Sequence, residues 1–191
     1  MSAPELTLAR CRTDILEVAA CRAGAGELAQ RARDAGCTLP PLGRAQLSTG
    51  ALALAVRPER WLLLLPAAAG GVNAAAWQRR CAGAGTVVEL SAGYRAFVLT
   101  GSATREVLRR GCRLDLDPAV FTAGAAAATS MAQVAVTLAA LPAGFLLLTP
   151  SSTARHFEEW LEGAARAFGM TRAGDVTVAA LCGASNDETS S

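Results

Sequence analysis

Two phrases, WLLLLP at 61–66 and FLLLTP at 145–150, limit the folds open to this chain more than any other feature. Each is an apolar run of strand length closed by a proline, and each is followed by a helix-like segment carrying a tryptophan, Trp77 or Trp160. The first follows 51–56 (ALALAV) across RPER, whose proline suits a turn, so the pair reads as a hairpin. The second reads as the return strand of a hairpin formed by 133–139 and 145–148. A chain that repeats a hairpin and a helix in this way is built from two related units.

The flanking segments complete both units in the same order. In the first, 14–20 (DILEVAA) is a strand, 26–35 (GELAQRARDA) a helix, 73–81 a helix that Asn73 can cap and Gly83 stops, and 86–91 (TVVELS) a β-branched strand. In the second, 94–99 (YRAFVL) is a strand and 102–110 a helix closed by Gly111. The helix over 152–168 then places Phe157, Trp160, Leu161, Ala164 and Phe168 on one stripe, and 175–181 (DVTVAAL) is the last strand. The fold class is therefore α+β, two ferredoxin-like βαββαβ units packed together, over 1–92 and 93–182, as one compact domain with a loose polar tail at 183–191. Helices cover one face of each sheet. The absence of a clean polar face over 51–65 predicts burial of the other face as well.

Bulk properties remove several classes of function. A formal charge of +2, from 18 basic and 16 acidic residues, gives no field for a nucleic-acid backbone. No residue between Asp117 and Arg155 is charged, and roughly 20 apolar residues can cross a bilayer. Gln133, Thr137, Pro142 and Gly144 interrupt that stretch, however, and no basic cluster flanks it, so no membrane span is expected. The start, MSAPELTLARCR, lacks the apolar core of a signal peptide, which points to the cytoplasm. Cys11, Cys21, Cys37, Cys81, Cys112 and Cys182 form no CxxC pair, and His156 is the one histidine, so a zinc site is not expected. The cysteines read as reduced thiols serving as small core residues.

The candidate sites each have a plainer reading. Gly24, Gly26 and Ala29 fit GxGxxA, but no acid lies between Asp34 and Glu59 to bind a ribose, so the glycines read as a helix-entry turn. His156 falls in the first turn of its helix, where the positive helix end disfavours protonation, yet no catalytic partner lies near it in sequence. Glu158, Glu159 and Glu162 are placed on the solvent side, Glu162 pairing with Arg166 one turn on. Asp115 and Asp117 alternate with Leu114 and Leu116, so an extended segment would set both carboxylates on one face. Two acids are too few for calcium, which takes about six to eight oxygens, and Asp117-Pro118 is a common turn opening. None of these residues is assigned a catalytic, cofactor-binding or metal role.

The segment SAGYRAFVLTGSATREVLRRGCRLDLDPAVF resembles the gamma subunit of heterotetrameric sarcosine oxidase, whose members carry a "GC-LDL-P" phrase. Gly111, Cys112, Leu114, Asp115, Leu116 and Pro118 match that phrase in register. VRPERWLLLLP resembles the family's first hairpin, and GFLLLTPSSTARHFEEWLEGAARAFG its C-terminal strand and helix, so the similarity runs from Leu39 to Gly169. Ser151 stands where many relatives have arginine.

The resemblance implies a fold similar to the folate-binding aminomethyltransferase domain and a structural, non-catalytic place in an oxidoreductase complex acting on CH–NH donors. In that family the alpha, beta and delta subunits carry FAD, FMN, NAD, zinc and tetrahydrofolate, and the gamma subunit carries none of them. Sarcosine becomes glycine, the one-carbon unit passes to tetrahydrofolate, and hydrogen peroxide forms. The expected partner is chiefly the large alpha subunit, met through an apolar interface of more than about 2,000 Å², so that the chain alone would aggregate. The alternatives are an independent folate-binding aminomethyltransferase-like protein, or the same subunit in an oxidase or dehydrogenase of another N-methyl amino acid.

Overall fold

The two hairpins fold where local chemistry allows the chain to reverse. β3 (Ala51–Arg57) and β4 (Arg60–Pro66) are joined by Pro58 and Glu59, and Glu59 takes φ +54° at the second turn position, after a proline that pre-sets the first. β8 (Val134–Leu141) and β9 (Gly144–Pro150) form the corresponding pair near the other end of the chain. The computed structural model describes residues 6–183, with backbone alone for 182 and 183. The tail from residue 184 onward, and the side chain of Cys182, lie outside the described residues.

The chain divides into two units whose ends are exchanged relative to the expected 1–92 and 93–182 halves. One unit joins the chain through Cys11 to Gly93–Val176, and the other joins Arg12–Ala92 to the chain from Thr177. The exchange turns on β1 (Leu6–Ala20), a 15-residue strand where a seven-residue one is expected. Thr7–Cys11 pairs within the first of these units, Thr13–Ala20 within the second.

In the Arg12–Ala92 unit, β1 lies antiparallel to both β4 and β5 (Gly85–Glu89). β3 pairs with β4, and β2 (Arg44–Ser48), a strand the sequence does not signal, pairs with β3. Helices α1 (Ala25–Asp34) and α2 (Val72–Cys81) contribute Leu28, Ala32, Trp77 and Cys81 to a core with Leu16, Val18, Ala53 and Leu63. Asn73 is not the cap of α2. Gly71 holds that position at φ +68°, while Asn73 Nδ2 donates to Asp14 Oδ2 and to the Pro66 carbonyl, tying the helix to β1 and β4.

In the Gly93–Val176 unit, β6 (Tyr94–Thr100) lies antiparallel to β9 and to the first part of β1. β8 follows β9, and β7 (Ala126–Met131), also unsignalled, is the edge strand beyond β8. β10 (Met170–Arg172) runs parallel to Leu6–Leu8 of β1. Helices α3 (Thr104–Arg109) and α4 (Ala154–Ala165) bring Val107, Leu108, Phe157 and Leu161 onto Leu8, Phe97, Leu99 and Leu147.

Residues 175–181 form no full strand. Only β11 (Val176–Thr177) is extended, after which α5 (Val178–Gly183) is helical and packs beside β2, β3 and β4. Alanine-rich VAALCG favours a helix once no partner strand continues alongside. The central strands are buried on both faces: every residue of Ala51–Ala55 in β3 and of Phe145–Thr149 in β9 is inaccessible. Among the described residues, the exposed large hydrophobic side chains are Leu42, Val72, Val88 and Val120, from separate segments.

Candidate functional sites

The GC-LDL-P phrase is a packing device. α3 ends at Arg109, and Gly111 then passes so close to the indole of Trp160 on α4 that a Cβ there would lie 2.4 Å from the ring. Cys112 bridges to Met131 at the end of β7. Leu116 is fully buried and Leu114 packs against the same core. Asp115 Oδ1 accepts the Asp117 N–H at 2.9 Å, and Asp117 Oδ1 accepts that of Ala119 at 2.8 Å. Arg109 approaches Asp117 at 3.8 Å on the surface. The two carboxylates thus shape successive turns around Pro118 and do not converge on a common point.

Arg105, which the sequence does not single out, holds this segment. Its guanidinium donates to the carbonyls of Leu116 (2.6 Å) and Phe121 (3.1 Å) and lies 5.0 Å from the centre of the Phe145 ring. It also lines a cleft of about 360 Å³ between Gly101–Arg105 and Leu141–Phe145.

The GxGxxA glycines divide. Gly24 is held by close packing, its Cβ position being 2.4 Å from the Ala84 carbonyl oxygen, whereas Gly26 on α1 faces open space. Ala29 lies partly buried on the same helix, and the segment packs in an antiparallel sheet with no parallel crossover.

His156 is exposed on the first turn of α4. Glu159 is exposed and pairs with Arg155. Glu158 departs from expectation: it is 6% exposed and accepts from Arg10 of β1 and Arg172 of β10, each at 2.8 Å. Burial alone would push its carboxyl up, but hydrogen bonds and charge from the two guanidiniums outweigh that and hold it below the usual carboxylate range. Glu162 pairs with Arg172, not with Arg166. A helical wheel cannot see arginines that arrive from outside the helix, on β1 and β10.

Cys11, Cys37 and Cys81 are buried thiols, and burial pushes Cys37 up to about 11 and also raises Cys81. Cys112 is half-buried. Cys21 is exposed, which corrects its reading as a core residue. Among the described residues no three of His, Cys, Asp and Glu group to hold a metal ion, and no helix is long and apolar enough to cross a membrane.

This geometry agrees with comparisons to known proteins. The family model described as SoxG, sarcosine oxidase, gamma subunit family, matches residues 28–167. A chain of the heterotetrameric sarcosine oxidase from Corynebacterium sp. U-96, solved in complex with pyrrole 2-carboxylate, is 26% identical with a TM-score of 0.75, over 91% of this chain and 90% of that one. The glycine cleavage system aminomethyltransferase T from Bartonella henselae is 18% identical with a TM-score of 0.65, over 93% of this chain. The match covers 49% of that protein, so this chain spans about half its length, and the likeness is one of fold. No curated protein sequence matches. With the matched family spanning most of the folded chain, and the GC-LDL-P phrase accounted for residue by residue, this chain belongs to the sarcosine oxidase gamma subunit family.

Proposed function

We propose that this chain is a non-catalytic structural subunit of a cytoplasmic heterotetrameric sarcosine oxidase. The observation that carries this is the end-to-end likeness to one chain of such an oxidase, with about nine-tenths of each chain covered. The engagement of the candidate carboxylates supports it. Asp115 and Asp117 are spent on turns, and Glu158 is spent on two arginines, which leaves them engaged in holding the fold.

In this reading the alpha, beta and delta subunits hold FAD, FMN, NAD, zinc and tetrahydrofolate, and they carry sarcosine to glycine with oxygen as acceptor. The large alpha subunit is the chief neighbour. Recovery of the tagged chain from its native cell together with a yellow multisubunit flavoprotein that forms peroxide from sarcosine is the expected result, and repeated recovery of the chain alone would overturn it. The likeness to an aminomethyltransferase keeps one rival in view, an independent folate-binding protein. Calorimetric titration with tetrahydrofolate separates the two, since one-to-one binding to the isolated chain supports the rival.

A further inference from the structure

Arg105 differs from the other inward-turned charges of its unit. Glu158 has two arginines, whereas no ion pair among the described residues includes Arg105. Two of its five N–H donors reach the Leu116 and Phe121 carbonyls, and the face of Phe145 lies beside it. The side chain is half-buried and lines the cleft between the start of α3 and the β8–β9 turn. Glu106, the next residue, points about 100° further round the helix. Arg105 is the one charged residue lining the cleft, and the rim residues Gly101, Ser102, Pro142 and Ala143 are exposed and uncharged.

A half-desolvated guanidinium with spare donors recognises an anion, and its planar fork suits a carboxylate. The cleft is open along its rim, where those four residues are exposed, and so does not enclose a free metabolite. An uncharged rim around a single arginine is instead the make-up of an interface centre, where charged residues are depleted and arginine is enriched. We propose that this cleft is a docking site for an Asp or Glu side chain of the large alpha subunit, held by Arg105 with the Ser102 hydroxyl at its rim. The inference rests on the subunit reading and identifies one contact within it by charge complementarity.

The test places a competing carboxylate in the cleft without touching Arg105. Full-length chains carrying Ala143→Glu or the isosteric Ala143→Gln are co-expressed with the other oxidase subunits, and retention of the tagged chain is measured as a dissociation constant, with thermal midpoints checked for equal folding. Ala143→Glu should weaken assembly about tenfold or more, and Ala143→Gln by less than about twofold. Arg105→Gln should also weaken it and remove much of its dependence on salt. Equal assembly of the two Ala143 variants overturns the proposal. That includes the case in which added acetate raises the midpoint of the wild-type chain but not of Ala143→Glu, which would assign the cleft to a free anion. Failure of the wild-type chain to enter the complex overturns the subunit reading itself, and the docking partner with it.

Discussion

Two glycines two residues apart, Gly24 and Gly26, do opposite things for the same helix. At Gly24 a methyl group would meet the Ala84 carbonyl oxygen at 2.4 Å and Cys21 Sγ at 2.6 Å, and the carbonyl belongs to backbone that cannot turn aside. At Gly26 nothing lies within 4 Å, and the residue sits in the first turn of α1, where the conformational freedom of glycine only weakens the helix. Gly24→Ala should therefore destabilise the protein by about 1–3 kcal/mol through overpacking. Gly26→Ala should stabilise it by about 0.5–1 kcal/mol. Urea denaturation checks both, as midpoint shifts of opposite sign with unchanged slope. Shifts of the same sign would mean that the phrase serves something other than packing.

At the scale of elements, α4 is fastened by the Glu158 carboxylate, which joins it to β1 and β10 at once. Because that carboxyl is held below its unfolded value, its contribution is complete above about pH 5 and is lost as the pH falls through the lower, folded value. Glu158→Gln should cost about 1–3 kcal/mol at neutral pH, less than a fully buried pair because the arginine side chains are 60% and 52% exposed. The gap between variant and wild type should narrow below about pH 4, as thermal unfolding across a pH series would record. A gap independent of pH would mean that shape, not charge, fastens the helix. The apolar stripe of α4 is plain in the sequence, as are the hairpins, because periodicity and turn residues are local signals. Arg10 and Arg172 are not legible in this way, since Arg10 meets Glu158 from 148 residues away and Arg172 from β10, beyond the end of the helix. β7 escapes for a different reason: its turn sets Ala132 and Gln133 at φ +50° and +66°, positions that normally announce themselves with Asn or Gly. Ala126–Met131 also carries a single β-branched residue, Thr129, where a strand is usually marked by several. Arg105 could have been suspected only from its place in the segment that resembles the family, since no local pattern sets it apart from the other arginines.

For the molecule as a whole, β1 is the piece on which independence of the units depends. Leu6 and Leu8, 0% and 2% exposed, belong to the core of the unit that otherwise begins at Gly93, and they reach it from the far end of the sequence. Burying two leucines is worth about 3–6 kcal/mol, against a total stability of about 5–15 kcal/mol for an ordinary domain. The same stretch also pairs with β6 and with β10, so its loss would leave both without a neighbour on that side. The 93–176 segment should consequently not fold without it, whereas β1 from Arg12 onward keeps its pairing with β4 and β5. Removing the chain through Cys11 should abolish amide protection in β6, β8 and β9 while leaving it in β3 and β4, as hydrogen exchange resolved by peptide would measure. Protection retained alike in both sets of strands would mean that the first part of β1 is an accessory to its unit and not a component of its core.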